Sequence, residues 1–442
     1  MKLTVNRSGL LAALAAVKPV AGRGTLPILS NLLLVGKGND LNLTATDLDV
    51  HLRVKIEAAV SKEGKTTVRA GLLFDIVRMA DSPEVRLELK GNSLTVECGQ
   101  AKHNLATIDP TDFPPFPRVK AAEGKTVTEF TLEDSLFRTL LAETAFAAST
   151  EEQRFILCGN LIKLDGAEIH VVACDGRRIA ASSIASPVKD RADLLLPVKT
   201  VRELLRLLPS DTDKPNRLQL AIGEHQVQFG FGEITILSKL IEGAYPDWNR
   251  IIPPDNNIAT LPRAELLRSV ERIALVADDI HMEFTGSALY LKSHGKRGNE
   301  LVGDATDCLL IASNVKPGVP AECVFSTRYL RDALAATADD SLEFHLAPTR
   351  LCLLKAPTRD WRAVIAPVKK EEKKAKPAEA KPAETPAKQP ETPAKQAETP
   401  KAEPVVAKVA TTEAPSAPIA PVTKPRTPVV VRSQKPELVG AL

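Results

Sequence analysis

Asp175-Gly176-Arg177-Arg178 stands between two apolar runs in "VVACDGRRIAAS" (171–182). Asp-Gly suits a tight hairpin, because both residues tolerate the positive φ such a turn needs. The two guanidiniums beside it can bind phosphate, bond the carbonyls or carboxylate of a partner, or merely solvate the turn. Twelve residues leave these alternatives open. "ATDLDVHL" (45–52) sets Asp47 and Asp49 on one face beside a turn, a weak metal signal on its own. Of the seven histidines, no two have ligand spacing, and no GxxxxGK[ST], HExxH or GxSxG occurs. The six cysteines, Cys98, Cys158, Cys174, Cys308, Cys323 and Cys352, form no CxxC pair. That pattern argues against a zinc site or disulfide framework and suits a reducing cytoplasm. The expectation is a protein without catalytic groups, metal or cofactor, and so not an enzyme.

The elements that must position these residues come from a pattern that occurs three times, at a period of roughly 120 residues, the size of a small domain. Each copy opens with a strand and an amphipathic helix: "RSGLLAALAAVKP", "EDSLFRTLLAETAFAAS" and "RAELLRSVERIALVA". Strand pairs follow, then a second helix, "RAGLLFDIVRMAD", "PVKTVRELLRLLP" or "STRYLRDALAATA", then a closing hairpin. The predicted class is α+β, with two helices packed on antiparallel sheet in each copy. The predicted domains are 1–120, 127–253 and 254–368. An Asp at the matching turn ("ATDLDVHL", "VACDGRRI", "ATDCLLIA") is common to the copies, whereas Arg177 and Arg178 belong to the second alone.

From Lys369 the composition changes. The last 74 residues hold 13 of the 33 prolines, no aromatic residue, and a net charge of +5, which leaves −2 on residues 1–368. Such a tail cannot bury enough apolar area to offset its ordering entropy and is expected to be disordered. The chain has no apolar run of membrane-spanning length, and its start reads as fold rather than as a signal peptide. The helices are basic away from their apolar stripes although the body is slightly acidic. Arg7, Lys18, Arg69, Arg78, Arg138, Lys199, Arg202, Arg206, Arg263, Arg268, Arg272, Arg328 and Arg331 make up this excess. A surface of this kind touches phosphates without reading bases.

"TLPILSNLLL" (25–34), "ATDLDVHLRV" (45–54), "VVACDGRRIAAS" (171–182), "SKLIEGAYPDWNRIIP" (238–253) and "AVIAPV" (363–368) together resemble the bacterial beta sliding clamps, the processivity factors of DNA polymerase III. The resemblance is collinear over residues 1–368 and does not include the tail. It implies three sliding-clamp domains per chain and a homodimer closed head-to-tail into a ring around duplex DNA. It further implies sheets outside, helices lining the hole, and no sequence readout. The implied partners are the DNA polymerase III alpha subunit, the clamp loader and other clamp-motif proteins, in the cytoplasm and with no membrane. They would dock through a peptide pocket lined by Leu157, Cys174, Gly176, Arg177, Arg178, Ile179, Pro246, Arg250, Ile251, Val364, Ala366, Pro367 and Val368. Under this resemblance the two arginines hold a partner. DNA contacts would come from Arg23 and Arg154, joined by Arg69, Lys199, Arg202 and Arg206 of the helix face. The ring joint would bring His103 and Leu105 of one chain to Ala274 and Leu275 of another. The family commonly has His where Arg177 stands and Met where Ala366 and Val368 stand, so a shallower or choosier pocket is expected here. A second reading is a specialised paralogue, a hub for repair or translesion polymerases.

Overall fold

The computed structural model describes residues 1–368 apart from 23–25, 122, 125, 211–215, 294–295, 299 and 312–320. The polar tail, and with it the expectation of disorder, lies outside the described residues. So does Arg23.

The same succession of elements occurs three times. The first comprises β1 (Lys2–Asn6), α1 (Arg7–Val17), β2 (Asn31–Lys37), β3 (Asp40–Thr46), β4 (Val50–Glu57), β5 (Ala59–Lys62), β6 (Gly64–Arg69), α2 (Ala70–Met79), β7 (Glu84–Lys90), β8 (Ser93–Cys98) and β9 (Ala101–Ala106). The second comprises β10 (Thr128–Glu133), α3 (Asp134–Ala145), β11 (Gly159–Asp165), β12 (Glu168–Cys174), β13 (Arg178–Ala185), β14 (Arg191–Pro197), α4 (Val198–Leu207), β15 (Arg217–Ile222), β16 (Gln226–Phe231) and β17 (Ile234–Lys239). The third comprises β18 (Asn257–Pro262), α5 (Arg263–Ala274), β19 (Asp279–Phe284), β20 (Ala288–Lys292), the two-residue β21 (Lys296–Arg297) and β22 (Glu300–Leu301), β23 (Thr306–Leu310), β24 (Glu322–Ser326), α6 (Thr327–Ala336), β25 (Ser341–Leu346), β26 (Cys352–Lys355) and β27 (Trp361–Ile365).

Local sequence explains these elements. In β16 the period of two puts Val227, Phe229 and Phe231 inward and Gln226 and Gln228 outward. In α4 the helical period buries Val201 and Leu204 and leaves Arg202 in solvent. Helix α1 starts where the Asn6 side chain accepts from the amides of Ser8 and Gly9. Two of the basic helix residues serve the fold. Arg7 donates to the carbonyls of Val77 and Arg78 at 3.0 and 2.7 Å, and Arg263 to those of Asp339 and Leu334 at 2.6 and 3.2 Å. In the first and third repeats the first helix thus caps the open carbonyl end of the second.

Two eight-stranded antiparallel sheets run from one repeat into the next. One has the order β10-β15-β16-β17-β4-β3-β2-β6, the other β14-β11-β12-β13-β27-β26-β25-β18. The seams are β17 against β4 (Ser238↔Val50, Leu237↔His51) and β13 against β27 (Arg178↔Ile365, Ile179↔Val364). The first repeat also keeps a five-stranded sheet, β5-β1-β7-β8-β9, and the third a four-stranded one, β23-β20-β19-β24. Helices and inner sheet faces enclose one apolar core across the first two repeats and a second in the third. None of the described helices is long and apolar enough to cross a membrane.

Candidate functional site

Strands β12 and β13 form the hairpin whose turn is Asp175-Gly176-Arg177. Asp175 Oδ1 accepts the amides of Arg177 and Arg178 at 2.8 and 2.9 Å, an Asx turn that fixes the loop. Gly176 has φ +87°, a backbone that favours glycine, and a Cβ there would lie 2.8 Å from Nη1 at the movable end of Arg154. Arg177 O accepts the amide of Ala366 at 2.9 Å, which ties the turn to the end of β27.

Beyond the turn the outer face of this sheet is apolar. Leu161, Val172, Cys174, Ile179, Ala181, Leu195, Leu353, Val364 and Trp248 form one buried cluster, with Ile156, Leu157, Ile241, Tyr245, Ile252 and Leu351 packed against it. Burial pushes the Cys174 thiol and the Tyr245 phenol upward, so both stay neutral. The second and third repeats contribute in alternation: strand pairing sets Ile179 opposite Val364, and the connection carrying Trp248 crosses above them. Of the residues expected in a pocket, Leu157, Cys174, Ile179 and Val364 meet in this cluster. Pro246, Arg250 and Ile251 sit exposed on the crossing connection, with Arg250 paired to Asp247 at 2.9 Å. Ala366, Pro367 and Val368 leave β27 half-buried, and the Val368 amide donates to Val324 O at 2.9 Å. Gly176 and Arg177 are exposed at the rim.

Arg178 departs from expectation. The alternation that points Ile179 outward sends Arg178 inward, where only 6% of it is exposed. Its guanidinium bonds Asp175 at 3.0 Å and Asp332 of α6 at 2.9 Å and lies over the rings of Tyr329 and Phe146. It supports the turn from behind, bonded to Asp175 and Asp332 and outside the apolar cluster.

The residues expected to touch DNA also divide. Arg69 and Arg202 are exposed and have no ion pair among the described residues. Lys199 is engaged by Asp47, and its burial lowers its pKa. Arg206 bonds Glu203 and donates to the carbonyls of Ala15 and Ala16 at 3.2 and 2.6 Å, capping α1 of the preceding repeat. Arg154 reaches the pocket turn, where Nη1 donates to Asp175 O at 3.2 Å. Lys199, Arg206 and Arg154 thus also bond the protein itself, through a carboxylate, a helix end and a turn carbonyl.

At the outer strands, His103 is exposed on β9, whereas Leu105 is buried in its own core. Ala274 is half-buried and Leu275 is 69% exposed at the end of α5. Sequence reasoning placed a strand where β23 lies but missed its exposed Leu310, 87% accessible, and missed Trp248, Tyr245 and Asp332. An apolar residue next to a strand end was the only local sign of the first. Nothing near position 332 announces a partner 154 residues away.

Residues 1–117 match the family model for the DNA polymerase III beta subunit N-terminal domain, and residues 131–247 match that for its central domain. The chain is 30% identical to the beta sliding clamp of Pseudomonas aeruginosa, over 84% of this chain and all of that protein. It is 32% identical to that of Caulobacter vibrioides, over 78% of this chain and 93% of the other. Among solved structures, the P. aeruginosa DNA polymerase III subunit beta superposes with a TM-score of 0.75 at 28% identity, covering 83% of this chain and all of that one. The sliding clamp of Caulobacter crescentus gives 0.73 at 30%, covering 84% and 100%.

Proposed function

The chain belongs to the family of bacterial DNA polymerase III beta subunits and is a sliding clamp, a processivity factor and not an enzyme, and from that premise we propose how its parts share the work. The domains are 1–120, 127–253 and 254–368. Two copies close head-to-tail around duplex DNA in the cytoplasm, with the basic helices toward the phosphates.

One observation carries the assembly. At each internal seam the last strand of one repeat pairs with a hairpin strand of the repeat before it: β17 with β4, and β27 with β13. The strands left over at corresponding positions are β9 in the first repeat and β23 in the third, each bonded on one side only among the described residues. Their union would turn a five-stranded and a four-stranded sheet into a third continuous sheet. Open strand edges invite such pairing, and Leu310 at the end of β23 and Leu275 at the end of α5 are exposed apolar groups for such a joint to cover. His103 and Ala274 fall within the same joint.

A ring needs little intrinsic DNA affinity, since enclosure does the holding. Exposed Arg69 and Arg202 then supply screened, sequence-independent contacts, and Arg23 is the further DNA-contacting residue of this reading. Partners dock at the outer cluster between the second and third domains. There Leu157, Cys174, Ile179 and Val364 accept apolar anchors, while Arg177 and Arg250 at the rim can bond peptide carbonyls or a carboxylate. The DNA polymerase III alpha subunit and the clamp loader are the proposed partners.

The test joins mass and topology. Sedimentation should give twice the 47.6 kDa of one chain, and the loaded protein should stay on circular DNA yet slide off linear DNA. A monomer, or equal retention on both forms, would defeat the ring.

A further inference from the structure

Asp175 fixes the pocket turn with one oxygen, and its other oxygen is held by Arg178 at 3.0 Å. Arg178 in turn is held by Asp332 at 2.9 Å. We propose that Asp332, on α6 and facing away from the apolar cluster, is the positioning residue of the peptide site, an inference that rests on the pocket reading above.

A buried guanidinium must be paired on every side that water cannot reach. The aromatic faces of Tyr329 and Phe146, 4.5 and 5.4 Å from its centre, leave Arg178 two directions for hydrogen bonds, toward Asp175 and toward Asp332. Asp332 therefore aims Arg178 and Arg178 aims Asp175. The Asp175 carboxylate sets the amides of residues 177 and 178, and Arg177 O sets the Ala366 amide at 2.9 Å. A continuous chain of polar contacts thus runs from a helix of the third repeat to the strand end bearing Ala366, Pro367 and Val368.

The first repeat shows the same turn held by different chemistry. Asp47 Oδ1 accepts the amides of Asp49 and Val50 at 3.1 and 2.9 Å, and Asp49 O accepts the Lys239 amide at 2.9 Å. Val50 stands where Arg178 would be, and the other Asp47 oxygen is taken directly by Lys199 of α4. In both places a charged residue on the second helix of the following repeat anchors the turn. Only at the second seam does a relay through a buried arginine bring the chain exit into register with an apolar surface. Asp332 also meets two exposed neighbours, Arg331 at 3.3 Å and Arg328 at 3.9 Å, which share its charge but do not touch the turn.

The experiment uses the full-length protein and a fluorescein-labelled peptide ending in Leu-Phe, read by anisotropy, with amide hydrogen exchange at residues 177, 178 and 366. Asp332→Asn should weaken the peptide about tenfold, as expected when a buried charge loses one partner, and should speed exchange at those amides. Arg328→Gln combined with Arg331→Gln should leave affinity within about threefold, because neither residue faces Arg178. Leu157→Asp tests the pocket itself and should weaken the peptide by about 5- to 150-fold. Unchanged affinity in Asp332→Asn with binding weakened in Leu157→Asp overturns the positioning role and leaves the pocket standing. Equal weakening in the double arginine variant also overturns it, since the effect would then belong to α6 as a whole. If Leu157→Asp binds normally the pocket reading fails, and exchange at Ala366 alone decides: faster in Asp332→Asn supports the relay, unchanged ends it.

Discussion

The two internal seams share a backbone and differ in what they carry. At both, an aspartate caps a tight turn through two amides, and the carbonyl two residues later receives an amide at the end of the partner strand, from Lys239 at the first seam and Ala366 at the second. At the first seam the paired outer residues are His51 and Leu237, with Phe116 of the connecting segment edge-on to His51 at 5.8 Å and Arg53 lying over that ring. At the second seam they are Ile179 and Val364, in a wide apolar cluster. The turn holds repeats together, and the proposed binding capacity belongs to the outer face beside it. Leu48 and Gly176 sharpen the contrast. Both have positive φ, 81° and 87°, yet the first seam tolerates a leucine there. At the second seam a side chain would have to displace the guanidinium end of Arg154, which bonds Asp175 O.

Perturbing these seams should give effects of falling size. The largest is expected at the proposed joint between two copies. Leu310→Glu should turn the dimer into monomers in sedimentation at micromolar concentration, because a charge would enter an apolar joint and the internal seams cannot compensate. Second is Leu157→Asp, which should cost a Leu-Phe peptide about 1–3 kcal/mol by titration, whereas Leu237→Ala at the first seam should leave that affinity unchanged. Equal losses would mean that the seams are not functionally distinct.

Third are the turn residues. Leu48→Gly should stabilise by about 0.5–1 kcal/mol in urea unfolding, since left-handed backbone strain outweighs the added chain entropy. Gly176→Leu should destabilise, and should also lower peptide affinity by displacing Arg154. The smallest effect concerns His51, whose pKa burial and the nearby Lys239 charge lower to about 4, against a weaker opposing pull from Asp49. The unfolded chain takes up that proton near pH 6.5 while the folded chain does so only near 4. Stability from this site is therefore full above 6.5 and declines as pH falls toward 4. His51→Phe should flatten that part of a stability-against-pH curve.

Much of this was legible in the chain. The order of strands and helices, the two helices per repeat and the Asp-Gly turn follow from periodicity and from residues that accept positive φ. The cluster members Leu157, Cys174, Ile179 and Val364 came from resemblance to a family, since their chain positions lie as much as 207 residues apart. The roles of the arginines were less legible. Composition shows a basic surplus on the helices, but Arg7, Arg206 and Arg263 spend their donors on helix ends that sequence does not locate.

Local chemistry determines where each element starts, which face is apolar, and that the turn at 175–177 is tight, because these depend on neighbours within a few residues. The tertiary structure decided the rest. Arg177 stays in solvent and Arg178 is buried because consecutive residues entering a strand point to opposite faces, and only β27 and α6 define which face is inside. A lysine on α4 holds one turn and an aspartate on α6 holds the other, because each repeat lays its second helix beneath the turn of the repeat before it.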